Sequence, residues 1–146
     1  MNQTNKNIII NTIITPGESV GGIKLNSNVE DVISNLHDRY RLDADARSII
    51  VNEGMITIYH NDAGIIRAIS CNSTYKGSYQ SKLWPGMTVQ DVLRTTKEQD
   101  ADLGFVIFHK IQGIGLLLPQ NRDDFERLND HLSDDFVFEE LWVFNH

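Results

Sequence analysis

The sequence predicts an α+β fold: one antiparallel sheet built from two helix–hairpin units with both helices on one face, followed by a C-terminal helix and strand. Three observations carry this. Val29-Glu30-Asp31-Val32-Ile33 returns sixty positions on as Val89-Gln90-Asp91-Val92-Leu93. Each copy follows a turn-like run, Lys24-Leu25-Asn26-Ser27-Asn28 and Trp84-Pro85-Gly86-Met87-Thr88. Each is followed by two β-rich runs around a glycine-containing turn, the pattern of a hairpin. A short V-x-D-V match alone arises by chance, but here turn, cap, stripe and hairpin recur together. Two units are too few for a solenoid, so the hairpins are expected to join one sheet. The chain is expected to be one domain over residues 1–146, with units at about 23–70 and 83–118.

In chain order, Ile8 to Ile14 is dense in β-branched residues and reads as a strand. Pro16-Gly17-Glu18-Ser19 turns the chain. Gly21-Gly22 reads as a plain connection, because neither G-x-G-x-x-G nor a lysine-bearing phosphate loop follows. Ile23 to Leu25 is a candidate short strand. Asn28 is an N-cap residue: its side-chain oxygen can take an orphan backbone N–H, and Asp31 faces the positive end of the helix. Val29, Val32, Ile33, Leu36 and Tyr40 then follow the spacing of one buried helical stripe. Asp43 to Arg47 is a polar link. Ile49-Ile50-Val51 before Asn52-Glu53-Gly54 suggests a further strand, making three in the first unit with the Met55–His60 and Ile65–Ser70 hairpin.

Cys71 to Lys82 is a polar linker containing Tyr75 and Tyr79. It reads either as a binding loop, since tyrosine offers large contact area at low entropic cost, or as a crossover between units. Thr88 repeats the N-cap. Phe105–His109 and Ile114–Leu118 form the second hairpin. Asn121 to Leu132 reads as a helix with Asp123 and Asp124 in its first turn and Phe125, Leu128 and Leu132 as its stripe. Phe136-Val137-Phe138 and Leu141–Phe144 read as a terminal strand interrupted at Glu139-Glu140.

Twenty acids against thirteen bases give a net charge of −7, the wrong sign for the basic footprint of a nucleic-acid binder. The polarisation peaks at the C-terminus: Asp123, Asp124, Glu126, Asp130, Asp134, Asp135, Glu139 and Glu140 stand against the single base Arg127. One cysteine, Cys71, allows no internal disulfide. The apolar run at Ile8–Ile14 is too short to span a bilayer. A cytoplasmic protein with no membrane partner is the expectation.

The candidates for chemistry are Cys71 and the histidines. A thiolate nucleophile needs a neighbouring base and a lowered pKa, and the sequence places neither beside Cys71. His60 and His109 occupy matching ends of the two hairpins, yet no H-x-x-x-H or paired-cysteine spacing indicates a metal. No cofactor is expected.

Gly22-Ile23-Lys24-Leu25 leading into Val29-x-x-Val32, a hairpin, and then Leu83-x-x-Gly86-Met87-x-x-x-x-Val92 resembles the opening of small bacterial immunity proteins. These are the antidotes that accompany polymorphic toxins, including those of contact-dependent growth inhibition. The tandem helix–hairpin order is also similar to the architecture of the β-lactamase inhibitor protein, although the lack of disulfides departs from that secreted inhibitor. The resemblance covers residues 17 to 119 in pattern. It implies a non-enzymatic cytoplasmic protein that binds and neutralises a basic toxin domain, often a nuclease, with no direct contact to nucleic acid. Basic clefts attract an acidic inhibitor, so Asp123, Asp124, Asp134, Asp135, Glu139 and Glu140 are the expected contacts, with Tyr75 and Tyr79 as anchors. Two alternatives stay open: a small-ligand binder or enzyme built on His60, Cys71 and His109, and a non-catalytic adaptor.

Overall fold

The computed structural model describes residues 10–120, 125–130 and 132–145. Among the described residues two α-helices, α1 (Val29–Leu36) and α2 (Val89–Thr95), accompany an eight-stranded antiparallel sheet. Its strands are β4 (Leu42–Ala44), β5 (Ser48–Val51), β6 (Ile56–His60), β7 (Ile66–Cys71), β9 (Gln99–Asp102), β10 (Phe105–Phe108), β11 (Ile111–Leu117) and β13 (Leu141–Phe144). Their spatial order is β4-β5-β6-β7-β13-β11-β10-β9. Two small sheets complete the fold: β1 (Ile14–Thr15), β2 (Ser19–Val20) and β3 (Ile23–Lys24) form one, and β8 (Met87–Thr88) with β12 (Val137–Phe138) forms the other.

Both helices start where their caps predict. The Asn28 side chain accepts the Glu30 N–H at 2.8 Å. Thr88 does more: its hydroxyl accepts the Asp91 N–H at 3.1 Å while the Asp91 carboxylate accepts the Thr88 N–H at 3.0 Å, so two orphan donors are satisfied reciprocally. In α2, Thr95 and Thr96 bond back to the carbonyls of Asp91 and Val92, which suits a helix end. The β6–β7 turn is held by Asn61, whose side chain accepts the N–H groups of Ala63 and Ile65.

The register places one face of the sheet in the core as two continuous rows. Ile49, Ile58, Ile69, Val143 and Ile114 are successive cross-strand partners, as are Val51, Ile56, Cys71, Leu141, Leu116 and Val106. Every one of them is buried, and they form one cluster with Val29, Leu36, Val89 and Val92 of the helices. Since strand side chains alternate between faces, a single slip in register would turn a whole row to water. Gly113, at φ +83°, sits where the small sheet crosses β11: an added Cβ would lie 2.5 Å from the Gly17 backbone, and the Gly17 N–H donates to the Gly113 carbonyl at 3.0 Å.

Several expectations need correction. Ile8 and Ile9 lie outside the described residues, and the first strand is only Ile14–Thr15. The polar link after α1 contains β4, so the first unit supplies four strands rather than three. β9 was likewise not anticipated. Both are edge strands with largely exposed side chains, so neither carries the apolar alternation of a half-buried strand. The expected helix over Asn121–Leu132 lies partly outside the described residues, and within them the regular structure is one 3₁₀ turn at Leu128–Asp130. Leu128 is buried and Phe125 and Leu132 pack on the core, so the apolar stripe was right and its backbone was not. The terminal strand does break at Glu139-Glu140, and its halves join different sheets. β13 enters between β7 and β11, so the second set of strands ends at Phe144 rather than Leu118.

Candidate interaction face

The same alternation that fills the core sends the remaining side chains to the other face. Asp43, Ile50, Thr57, Ser70, Trp142 and Gly115 are cross-strand partners there, followed in parallel rows by Ser48–Tyr59–Ala68–Phe144 and by Leu117–Phe105–Asp102. On this face Ile50, Tyr59, Phe105, Ile107, Trp142 and Phe144 are only half-buried, and Leu117 is 37% exposed.

The aromatic residues form one continuous group. The rings of Tyr59 and Trp142 stack with centroids 4.7 Å apart, and Phe105 meets Trp142 edge-on at 5.6 Å and Phe144 at 5.5 Å. These rings come from β6, β10 and β13. They meet because the strands between them place small residues at the crossing, Ala68 and Ser70 on β7 and Gly115 on β11. A Cβ at Gly115 would stand 3.0 Å from the Phe105 Cβ. Ser70 is buried although it lies on this face, consistent with its place between Thr57 and Trp142.

Carboxylates surround the aromatic group. Asp43 stands on one edge strand and Asp100 and Asp102 on the other. Glu140, two residues before Trp142 and therefore on its side of the strand, accepts the indole N–H at 3.0 Å. Asp43 pairs with Arg41 at 3.1 Å. Among the described residues Asp100, Asp102 and Glu140 have no ion-pair partner. A cleft of about 540 Å³ is lined by Asp100, Asp102, Leu103, Ile107, Lys110 and Phe144, among others.

Most of the residues singled out from the sequence lie elsewhere. Asp123 and Asp124 are outside the described residues. Asp134 and Asp135 are exposed at the start of α2, where the Asp134 carbonyl takes the Gln90 N–H and the Asp135 carboxylate takes the Ser133 hydroxyl. Glu139 is tied to the linker by the Ser73 hydroxyl and N–H, which hold its carboxyl below the usual carboxylate range. Among the described residues, Glu140 alone of the expected acids reaches the open face. Tyr75 is 4% exposed and its hydroxyl donates to the Asn11 carbonyl, so it plugs the core and has no free face for a partner. Tyr79 is half-buried against the same core.

His60, Cys71 and His109 do not form one site. His60 ends β6 and His109 directly follows β10, and those strands are four spacings apart, or roughly 19 Å. Cys71 lies four residues along the ladder from His60, roughly 13 Å away. Its thiol is buried, donates to the Leu141 carbonyl at 3.7 Å, and is pushed up to about 12, by burial first and by the Glu140 charge second. A neutral, enclosed thiol is a poor nucleophile.

Trp142 and Phe144 were legible only as a β-rich run. Their signal was alternation with Leu141 and Val143, a strand apolar on both faces; nothing local said that one of those faces lacks a cover. No protein-family model, curated protein or solved structure matches the chain.

Proposed function

We propose that this chain is a non-catalytic binding protein, an immunity protein that docks the open face of its sheet on a basic toxin domain and occludes the active site. The observation that carries the reading is the half-exposed aromatic group ringed by carboxylates. Aromatic residues desolvated at the centre of a contact supply most binding energy, with polar residues excluding water around them. Rim carboxylates steer a basic partner and speed its association. Eight strands at about 4.8 Å spacing span roughly 34 Å, wide enough for a standard interface of about 800 Å² per partner. The net charge of −7 has the same sign as the rim. No helix among the described residues is long and apolar enough to cross a membrane, in keeping with action in the cytoplasm.

The fold itself is read here as a duplication. The strand order runs outward as β7-β6-β5-β4 on one side and β13-β11-β10-β9 on the other, and each set follows a capped helix. Both helices are placed on the core face, whose aliphatic rows need a cover. A duplicated open face offers a broad docking surface without a deep pocket.

The test is association with a purified basic toxin domain, the product of the neighbouring gene where that gene encodes one, at low and high salt. Replacing Asp100, Asp102 and Glu140 by Asn, Asn and Gln should slow association about tenfold at low salt and flatten its salt dependence. Trp142→Ala should mainly accelerate dissociation. Neutralising Asp134 and Asp135 should change neither. If that last pair alone matters, the interface lies at the start of α2. If no basic domain binds, the immunity reading fails. A partner that is basic but not toxic would make the chain an adaptor.

A further inference from the structure

We infer that the tip of the β9–β10 hairpin is an anchor, with Leu103 the side chain that a basic partner takes into an apolar recess. The inference deepens the reading above and rests on it. Leu103 and Gly104 are the two turn residues between Asp102 and Phe105, and their φ angles are +52° and +86°. Two positive φ values mark the tight hairpin turn in which Asn-Gly or Asp-Gly is preferred, because the first position crowds an ordinary side chain. Leucine has no polar group with which to offset that strain. It is also 91% exposed, so its apolar surface is left in water.

Both costs fall on one residue, and the free protein recovers neither. A residue that breaks local rules without compensation inside the fold is expected where function requires it. The other exposed leucines among the described residues, Leu93 on the helical backbone of α2 and Leu117 on β11, are only 38% and 37% exposed, and neither has a positive φ. The hairpin tip also stands clear: a Cβ at Gly104 would meet nothing within 4 Å. Asp100 and Asp102 lie behind the tip on the open face without an ion-pair partner among the described residues. An apolar knob followed by two free carboxylates fits an apolar recess bordered by lysine or arginine.

The experiment uses the full chain and, as probe, the same purified basic toxin domain. Leu103→Asn suits the turn better and removes the exposed apolar surface, so it should raise the melting temperature by about 3 °C. The same change should accelerate dissociation from the probe about thirtyfold, the loss typical of a central anchor. Leu103→Met should bind within twofold of the original chain, and so should Leu93→Gln. Opposed shifts in stability and binding from one substitution would establish the anchor. It is overturned if Leu103→Asn dissociates at the original rate, melts lower, or is matched by Leu103→Met. Binding by the unsubstituted chain with no effect of Leu103→Asn removes the anchor alone. No binding by the unsubstituted chain removes the functional reading and the anchor with it.

Discussion

Cys71 shows how position silences a reactive side chain. It occupies the middle of a buried row between Ile56 and Leu141, and its thiol is raised from 9.0 to about 12. Between those values the unfolded chain has lost a proton that the folded chain keeps. The thiol's contribution to stability is therefore complete below pH 9 and declines as the pH rises towards 12. Tyr75 is shifted in the same direction by burial. Urea midpoints should accordingly fall above pH 9, and less steeply in Cys71→Ala, which should cost about 1 kcal/mol at pH 7 and leave partner binding within a few-fold. A thiol reagent should label native protein only at the rate of global opening. At the acid end the logic reverses. Asp91 is lowered first by the Thr88 backbone N–H and Glu139 by the Ser73 hydroxyl, so their contributions hold above the ordinary carboxylate range and are lost as pH falls through it.

At the scale of the element, the two helices differ in how firmly their first turns are held. Thr88 and Asp91 satisfy two donors, whereas the Asn28 side chain satisfies one. Thr88→Ala should cost about 1–2 kcal/mol and Asn28→Ala about 1 kcal/mol, measured by denaturant titration. The apolar stripes differ as well. Val92 is fully buried, while Val32 is half-buried and lines a shallow groove with Ile23 and Leu36. Val92→Asp should prevent folding, because an unpaired buried charge costs about 3–5 kcal/mol; Val32→Asp should melt lower yet remain folded. Helix starts were legible because a cap is written in consecutive residues. β4 and β9 were not, because an edge strand with exposed side chains is specified by the neighbour it pairs with.

At the scale of the whole molecule, β13 decides the architecture. It lies between β7 and β11 in the large sheet, and it supplies Leu141 to one buried row and Val143 to the other. A chain ended after Pro119 keeps both expected helix–hairpin units but loses β12 and β13. It should fail to fold, giving a collapsed proton spectrum and no cooperative melt. A well-dispersed spectrum from that fragment would show that the halves fold without their common strand.

The sequence by itself determined the α+β class, the two capped helices and the hairpins of β6–β7 and β10–β11. All of these depend on residues a few positions apart, through capping, periodicity and turn chemistry. Only the tertiary structure decided that Tyr75 is a core plug, that β13 joins the two sets of strands, and that Tyr59, Phe105, Trp142 and Phe144 share an open face with Asp43, Asp100, Asp102 and Glu140. Those facts depend on which strands become neighbours over separations of about seventy residues. Alternation tells which residues share a side of a strand, but which of the two sides is covered follows only from the assembled sheet.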